Sequence, residues 1–189
     1  MLELHGRAMR HSVVVVSQIA DDQWELPTPC AGWTLRDLLA HMTTENLGFA
    51  QAARGDRPAW TPVAFGDDPR RDYAMSADEV LAAFADPAAE FWLPNISSTR
   101  PFPAAQAIGF HLLDYVVHTW DVAAALGRTV ALEDDLVTAA QEVADRDVPD
   151  NERRRRPDAG FQPPVKVPGE ETPLANLLAF LGRDPEWRP

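Results

Sequence analysis

The stretch 104–126 contains no proline and is dominated by Ala, Val, Leu and aromatic residues. That length favours a helix over a strand, since strands seldom exceed eight residues. Inside it lies Gly109-Phe-His-Leu-Leu-Asp-Tyr-Val-Val-His-Thr-Trp-Asp121, which sets His111, Asp114, His118 and Asp121 at gaps of three, four and three. At 100° per residue these four side chains fall within about 80° of one another. An apolar helix with one polar seam must bury imidazoles and carboxylates on a core face, which is costly unless they are paired. A divalent metal ion at the seam is the economical explanation.

The remaining signals are helical too. Residues 3–21 read as a first helix, with the β-branched run Val13–Val16 pulling toward strand. Pro27 and Pro29 stiffen a loop through Trp33. Thr34 with Asp37 then forms a capping box for a helix over 34–54 that stops at Gly55. Residues 55–75 are rich in Pro, Gly, Asp and Arg and read as a loop; Ser76 with Glu79 suits a second capping box, opening a helix through 85. Asp86-Pro87 interrupts it, Pro94 ends a continuation, and 94–103 is irregular. The seam helix closes at Gly127, and a fifth helix spans 132–147. The tail is proline-rich, with a short helix opened by Thr172-Pro173 and a strand-like pattern only at Val165-Lys-Val167. The expected architecture is all-α: a helical bundle over 1–150 and a Pro/Arg-rich extension, 151–189, that packs on it as one domain.

Composition narrows the partners. The net charge is −12 and the one basic cluster is Arg153 to Arg156, which reads as a solvated loop beside Asp150, Glu152 and Asp158. That charge balance argues against nucleic acid. No apolar run reaches the roughly 18–20 residues of a membrane span, and no signal peptide is recognisable, so the expectation is a cytoplasmic protein. Whether it forms a homodimer is left open. Cys30 is the only cysteine, which rules out an intrachain disulfide and a Cys-rich zinc site.

Asp114 and His118, four apart, lie one above the other on a helix and can converge on one ion. His111 is two turns from His118, on the order of 10 Å along the axis, so it and His118 do not share an ion. A third ligand must come from another helix. His41, on the Leu35/Leu38/Met42 side of its helix, is the leading candidate; His5 and His11 are weaker. Glu45, one turn beyond His41, suits a supporting carboxylate, a fourth ligand or a general base. Asp121 fixes the orientation of His118 or caps nearby backbone. Cys30 precedes His41 by a loop and two helical turns, roughly 10–15 Å, and is expected to be structural. Trp33, Trp92 and Trp120 read as core or pocket wall. There is no Gly-rich phosphate loop and no nucleophile elbow.

Thr28-Pro-Cys-Ala-Gly-Trp-Thr-Leu-Arg-Asp-Leu-Leu-Ala-His41 and Asp114-Tyr-Val-Val-His-Thr-Trp-Asp121 resemble the DinB/YfiT-like metal-binding superfamily. More narrowly they resemble its mycothiol-dependent maleylpyruvate isomerase-like group. Phe161-Gln-Pro-Pro-Val and Leu177-Leu-Ala-Phe-Leu-Gly-Arg-Asp-Pro-Glu-Trp187 are similar to one actinobacterial subfamily. The resemblance implies a four-helix bundle of up-down-down-up topology with a divalent ion at one end. It carries the ligand roles onto His41, Asp114 and His118, the trio that spacing nominates, and leaves His111 as a pocket neighbour. The second ligand is Asp where the isomerases have Glu. Only residues 157–189 follow the arginine run, where the isomerases carry a further domain, so maleylpyruvate isomerisation itself is not the expected reaction.

The leading expectation is a metal-dependent enzyme, a transferase or isomerase-like protein. Zn2+, with Ni2+ as the alternative, would hold a low-molecular-weight thiol such as mycothiol against a small electrophilic substrate. Glu45 or His111 would then handle protons. Behind it stand a non-catalytic metal-binding or stress-associated module, and a bundle whose seam is merely hydrogen-bonded.

Overall fold

Six α-helices carry the chain in the computed structural model, which describes residues 1–156, 159–166 and 172–189. They are α1 (Leu2–Val16), α2 (Leu35–Ala53), α3 (Pro69–Ala85), α4 (Ala104–Ala125), α5 (Asp134–Asp147) and α6 (Pro173–Phe180). Two short strands, β1 (Glu90–Phe91) and β2 (Phe102–Pro103), pair antiparallel between α3 and α4. A single 3-10 turn covers Glu152–Arg155.

Side-chain contacts fix the helix directions. His5 and Gln18 meet His111 and Arg128, so α1 and α4 run parallel. Asn46 bonds Ser76 at 2.9 Å and Arg54 pairs with Glu79 at 2.7 Å, so α2 and α3 run parallel as well. Tyr115 donates to the Met42 carbonyl at 2.6 Å while Phe49 packs on His111, which makes α2 antiparallel to α4. The result is an all-α, DinB-like four-helix bundle with up-down-down-up topology. The α4 helix touches α1, α2 and α5, which is why it is apolar on nearly every side. Leu38, Leu39 and Met42 from α2, Tyr73, Val80 and Phe84 from α3, and Leu112, Tyr115 and Val116 from α4 are fully buried between the helices.

Local chemistry explains most boundaries. Thr34 and Asp37 form the reciprocal capping box at the start of α2. Thr172 caps α6 by accepting from the Ala175 amide, with Pro173 at the first helical position. The C-terminal segment docks through Gly182, whose φ of +82° and lack of a Cβ let it lie against the Gln162 backbone.

Three boundaries differ from the sequence expectation. The first helix ends at Val16 rather than 21, and the chain turns through Ser17 and Gln18. The third begins at Pro69, not Ser76, because Asp68 accepts from the Arg70 and Arg71 amides and Pro69 pre-sets φ. Ser76 instead lies buried in mid-helix, its hydroxyl donating to the Tyr73 carbonyl. No helix continues past Asp86; residues 90–91 pair with 102–103 across the proline-rich loop. Val165 and Lys166 are not in a strand, and Val167, with Pro157, Asp158 and Pro168, lies outside the described residues. No helix of the described residues is long and apolar enough to cross a membrane.

Candidate metal centre

His41, Glu45 and Phe49 recur at a spacing of four on α2, as Phe110, Asp114 and His118 do on α4. Each set therefore shares a helix face. Antiparallel packing brings both faces onto one cavity of about 870 Å³. At its floor His118 Nε2 lies 3.3 Å from Asp114 Oδ1, and His41 Nε2 lies 3.9 Å from Asp114 Oδ2. One donor atom from each of the three residues falls within 4.8 Å of the others. Tetrahedral zinc with bonds of roughly 2.0–2.1 Å puts donors about 3.3 Å apart. The His118–Asp114 pair already stands at that separation, whereas His41, with donors up to 4.8 Å apart across the trio, must move inward by as much as about 1.5 Å to share an ion.

What surrounds the two imidazoles supports the same use. The Nδ1 of His118 is 2.8 Å from Asp121 Oδ2, and Asp121 in turn accepts from Arg183 Nε at 3.0 Å. The Nδ1 of His41 faces Glu45 Oε1 at 3.9 Å, too long for a hydrogen bond. Glu45 is itself pinned, accepting from the Trp60 indole at 2.7 Å and the Asn95 amide at 3.2 Å. Both histidines turn Nε2 toward Asp114, but only at His118 is Nδ1 held by a hydrogen-bonded carboxylate, the arrangement that orients ligand histidines in metal sites.

The cluster is partly buried: the His118 side chain is 5% exposed, Asp114 25% and His41 31%. Burial opposes ionisation of Asp114, but the neighbouring His118 and His41 outweigh it and hold the carboxyl well below its usual range. Burial also opposes the charge on His118, yet Asp114 and Asp121 together raise its pKa well above that of free imidazole. His41 is driven the other way, to about 4, by burial and by the charge of His118. Burial and the nearby Asp114 push Glu45 up to about 8, against the hydrogen bonds from Trp60 and Asn95.

Four contributors were not legible as site residues. Arg183, in the C-terminal segment, is buried against Asp121. Trp60 and Asn95 come from irregular loops that no periodicity governs. Trp60 takes a φ of +50°, a strained value for an aromatic residue, and its ring lies over α2 where a Cβ on Gly48 would fall 2.7 Å away. Cys30 is the clearest correction. Expected at 10–15 Å, its thiol instead contacts Asp121 Oδ2 at 3.4 Å and Arg183 Nη2 at 3.3 Å, because the Cys30–Trp33 turn folds back over the cavity. With His118 and Asp121 it forms a second group of closely spaced ligand atoms. Asp121 there is committed to Arg183, so the His41 trio is the better cation site. Trp33, from the same turn, packs against His41 with ring centroids 5.1 Å apart.

His111 goes elsewhere. It is buried, stacked on Tyr115 and ringed by Phe49 and Phe84, and its Nδ1 meets His5 Nε2 at 2.9 Å. His11 pairs with Glu133 on the surface. Burial pushes the His5 pKa down to about 4, and that of His111 well below its ordinary value. An unfolded histidine titrates near 6.5, so between pH 6.5 and 4 the unfolded chain binds more protons and acid costs stability. For His5 alone the loss reaches about 3 kcal/mol by pH 4. Urea midpoints should therefore fall from pH 7 to pH 5, and fall less in His5→Phe/His111→Phe; an equal slope in that variant would show that the pair is not responsible.

Relatives place the chain in a family. It is 31% identical over 184 residues to an uncharacterized protein of Mycobacterium tuberculosis strain CDC 1551, covering 96% of this chain and 97% of that one. A counterpart from a second strain of the same species matches equally. No solved structure matches. Residues 6–123 match the model of the mycothiol maleylpyruvate isomerase N-terminal domain, a span that includes His41, Asp114, His118 and Asp121. The chain belongs to the mycothiol maleylpyruvate isomerase N-terminal domain family.

Proposed function

We propose that this protein binds a divalent ion, zinc or alternatively nickel, through His41, Asp114 and His118, and uses it in thiol-dependent transfer or isomerisation of a small electrophile. The observation that carries the reading is the convergence of His41 Nε2, His118 Nε2 and Asp114 within 4.8 Å of one another on the cavity wall, with the His118 imidazole backed by Asp121. Bound there, zinc would lower the pKa of a coordinated thiol and hold it as the nucleophilic thiolate.

The chain's own residues supply the rest. Three protein ligands leave one tetrahedral position for an exogenous donor, and the cavity above the floor has room for a small thiol and its partner. Trp33, Phe49, Phe110 and Leu113 give that space an apolar lining that limits water. Glu45, held beside the trio by hydrogen bonds from Trp60 and Asn95, is placed to move a proton to or from the reacting group. His111 does not line the cavity, so proton handling is assigned to Glu45.

Membership in a family named for mycothiol supports that thiol as the cosubstrate, and a cytoplasmic location follows from such a role. Calorimetric titration of zinc-loaded protein with mycothiol tests it. Saturable heat at millimolar thiol or below is expected, with Glu45→Gln binding thiol but losing turnover of a model electrophile. No heat at millimolar mycothiol would overturn the thiol assignment and leave metal binding standing.

A further inference from the structure

The arginine run has a placement that its sequence context did not announce. Arg155 is a surface residue whose charge meets Glu152 at 3.3 Å and Asp150 at 4.0 Å. Arg154, which is buried, and Arg153, which is exposed, both line the same cavity as the histidine trio. Arg154 is only 4% exposed. Its Nε donates to the Gln162 carbonyl at 3.0 Å and its Nη2 to the Gln162 and Phe180 carbonyls. Nη1 is buried with no hydrogen-bond partner among the described residues. Among the described residues the Arg153 guanidinium reaches nothing but the Ile96 carbonyl, at a long 3.5 Å.

No carboxylate within ion-pair distance neutralises either guanidinium among the described residues. Asp147 also lines the cavity, but Gln106 and Arg146 hold its two oxygens at 2.8 and 2.9 Å. The contrast with Arg183 is direct. Burial disfavours both buried guanidiniums, yet at Arg183 the charge of Asp121 outweighs burial, whereas at Arg154 burial prevails over the more distant Asp150. Burying a cation without a counter-ion is expensive. Guanidinium donors in a fork match the two oxygens of a carboxylate. Phe110, Phe161 and Ile96 line the same cavity and give it an apolar surface suited to an organic body and not to a hydrated inorganic ion.

We infer that Arg153 and Arg154 form an anion subsite for the carboxylate of a small organic ligand lying in the cavity. The inference rests on the proposed function only in taking that cavity as the place where substrate binds. What it adds is a pair of residues beyond the matched span 6–123: the charged end of the ligand is anchored by the arginine wall while its apolar body meets Phe110 and Phe161.

The test titrates benzoate, its neutral analogue benzamide and inorganic phosphate into the full chain, both zinc-loaded and metal-stripped. Benzoate should bind in the millimolar range in both states, and benzamide at least tenfold more weakly. Arg153→Gln should weaken benzoate at least tenfold; it breaks only one long hydrogen bond, so it avoids the tail contacts that Arg154→Gln would sever. Benzoate affinity unchanged in Arg153→Gln, or equal affinity for benzamide, would overturn the subsite. So would phosphate binding without benzoate binding, because the ligand would then not be an organic carboxylate. Benzoate bound only when zinc is present and indifferent to Arg153 would put the carboxylate on the ion, sinking the subsite but not the metal centre. Arg153-dependent binding by a protein that takes up no metal would do the reverse.

Discussion

His118→Ala is expected to eliminate stoichiometric metal. The Nε2 of His118 is one of three donors at the cavity floor, and no other imidazole stands near enough to replace it. Structural zinc sites of four ligands contribute about 10–16 kcal/mol in total, hence roughly 3–4 kcal/mol per ligand and a 10²–10³-fold weaker ion. His111→Ala is the matched control. It removes an imidazole from the same helix, two turns away, in the aromatic core. Metal stoichiometry should survive while stability drops by about 1–3 kcal/mol, since the bond to His5 and the packing on Tyr115 are lost. Metal analysis of both variants separates the cases. If His111→Ala loses metal and His118→Ala keeps it, the ligand assignment is wrong.

The second large effect belongs to Asp121→Ala. Asp121 is completely buried and serves Arg183, His118 and Cys30 at once. Its removal leaves the Arg183 guanidinium buried without a carboxylate, an uncompensated charge that costs about 3–5 kcal/mol. It also frees His118 to rotate, and loss of such a supporting carboxylate weakens metal binding about 10–100-fold. Replacing Arg183 as well, in Asp121→Ala/Arg183→Met, removes the stranded cation and should recover a large part of the stability but none of the metal affinity. Urea unfolding of the two single variants and the double variant measures the coupling. Additive losses in that cycle would mean that Asp121 and Arg183 do not act as a pair.

The parts of this architecture that repeat with a helical period could be read from the chain. The polar seam of 111–121 marked α4, the Thr34–Asp37 box marked the start of α2, and the spacing of Asp114 and His118 with His41 nominated a trio that the fold brings together. What escaped was everything delivered by irregular chain. Ser76–Glu79 has the residues of a capping box, but Asp68-Pro69 starts the helix earlier within a stretch whose prolines and glycine suggested loop. Arg183 reaches Asp121 across 62 positions of sequence, and Cys30 reaches it across 91, with no periodicity to announce either contact. The arginine run looked solvated because acidic residues flank it; the fold turns Arg154 inward to bind the backbone of the tail. His111 shared the seam's angle but not its height. It sits where α1 supplies His5 rather than where α2 supplies His41.

Metal content measured by mass spectrometry, on protein purified without a histidine tag and dialysed against zinc, tests the central claim most directly. One equivalent of ion per chain in the parent protein, lost in His41→Ala and in His118→Ala alike, is the predicted result. Parent protein that retains no metal, or holds its full equivalent in both variants, would contradict it.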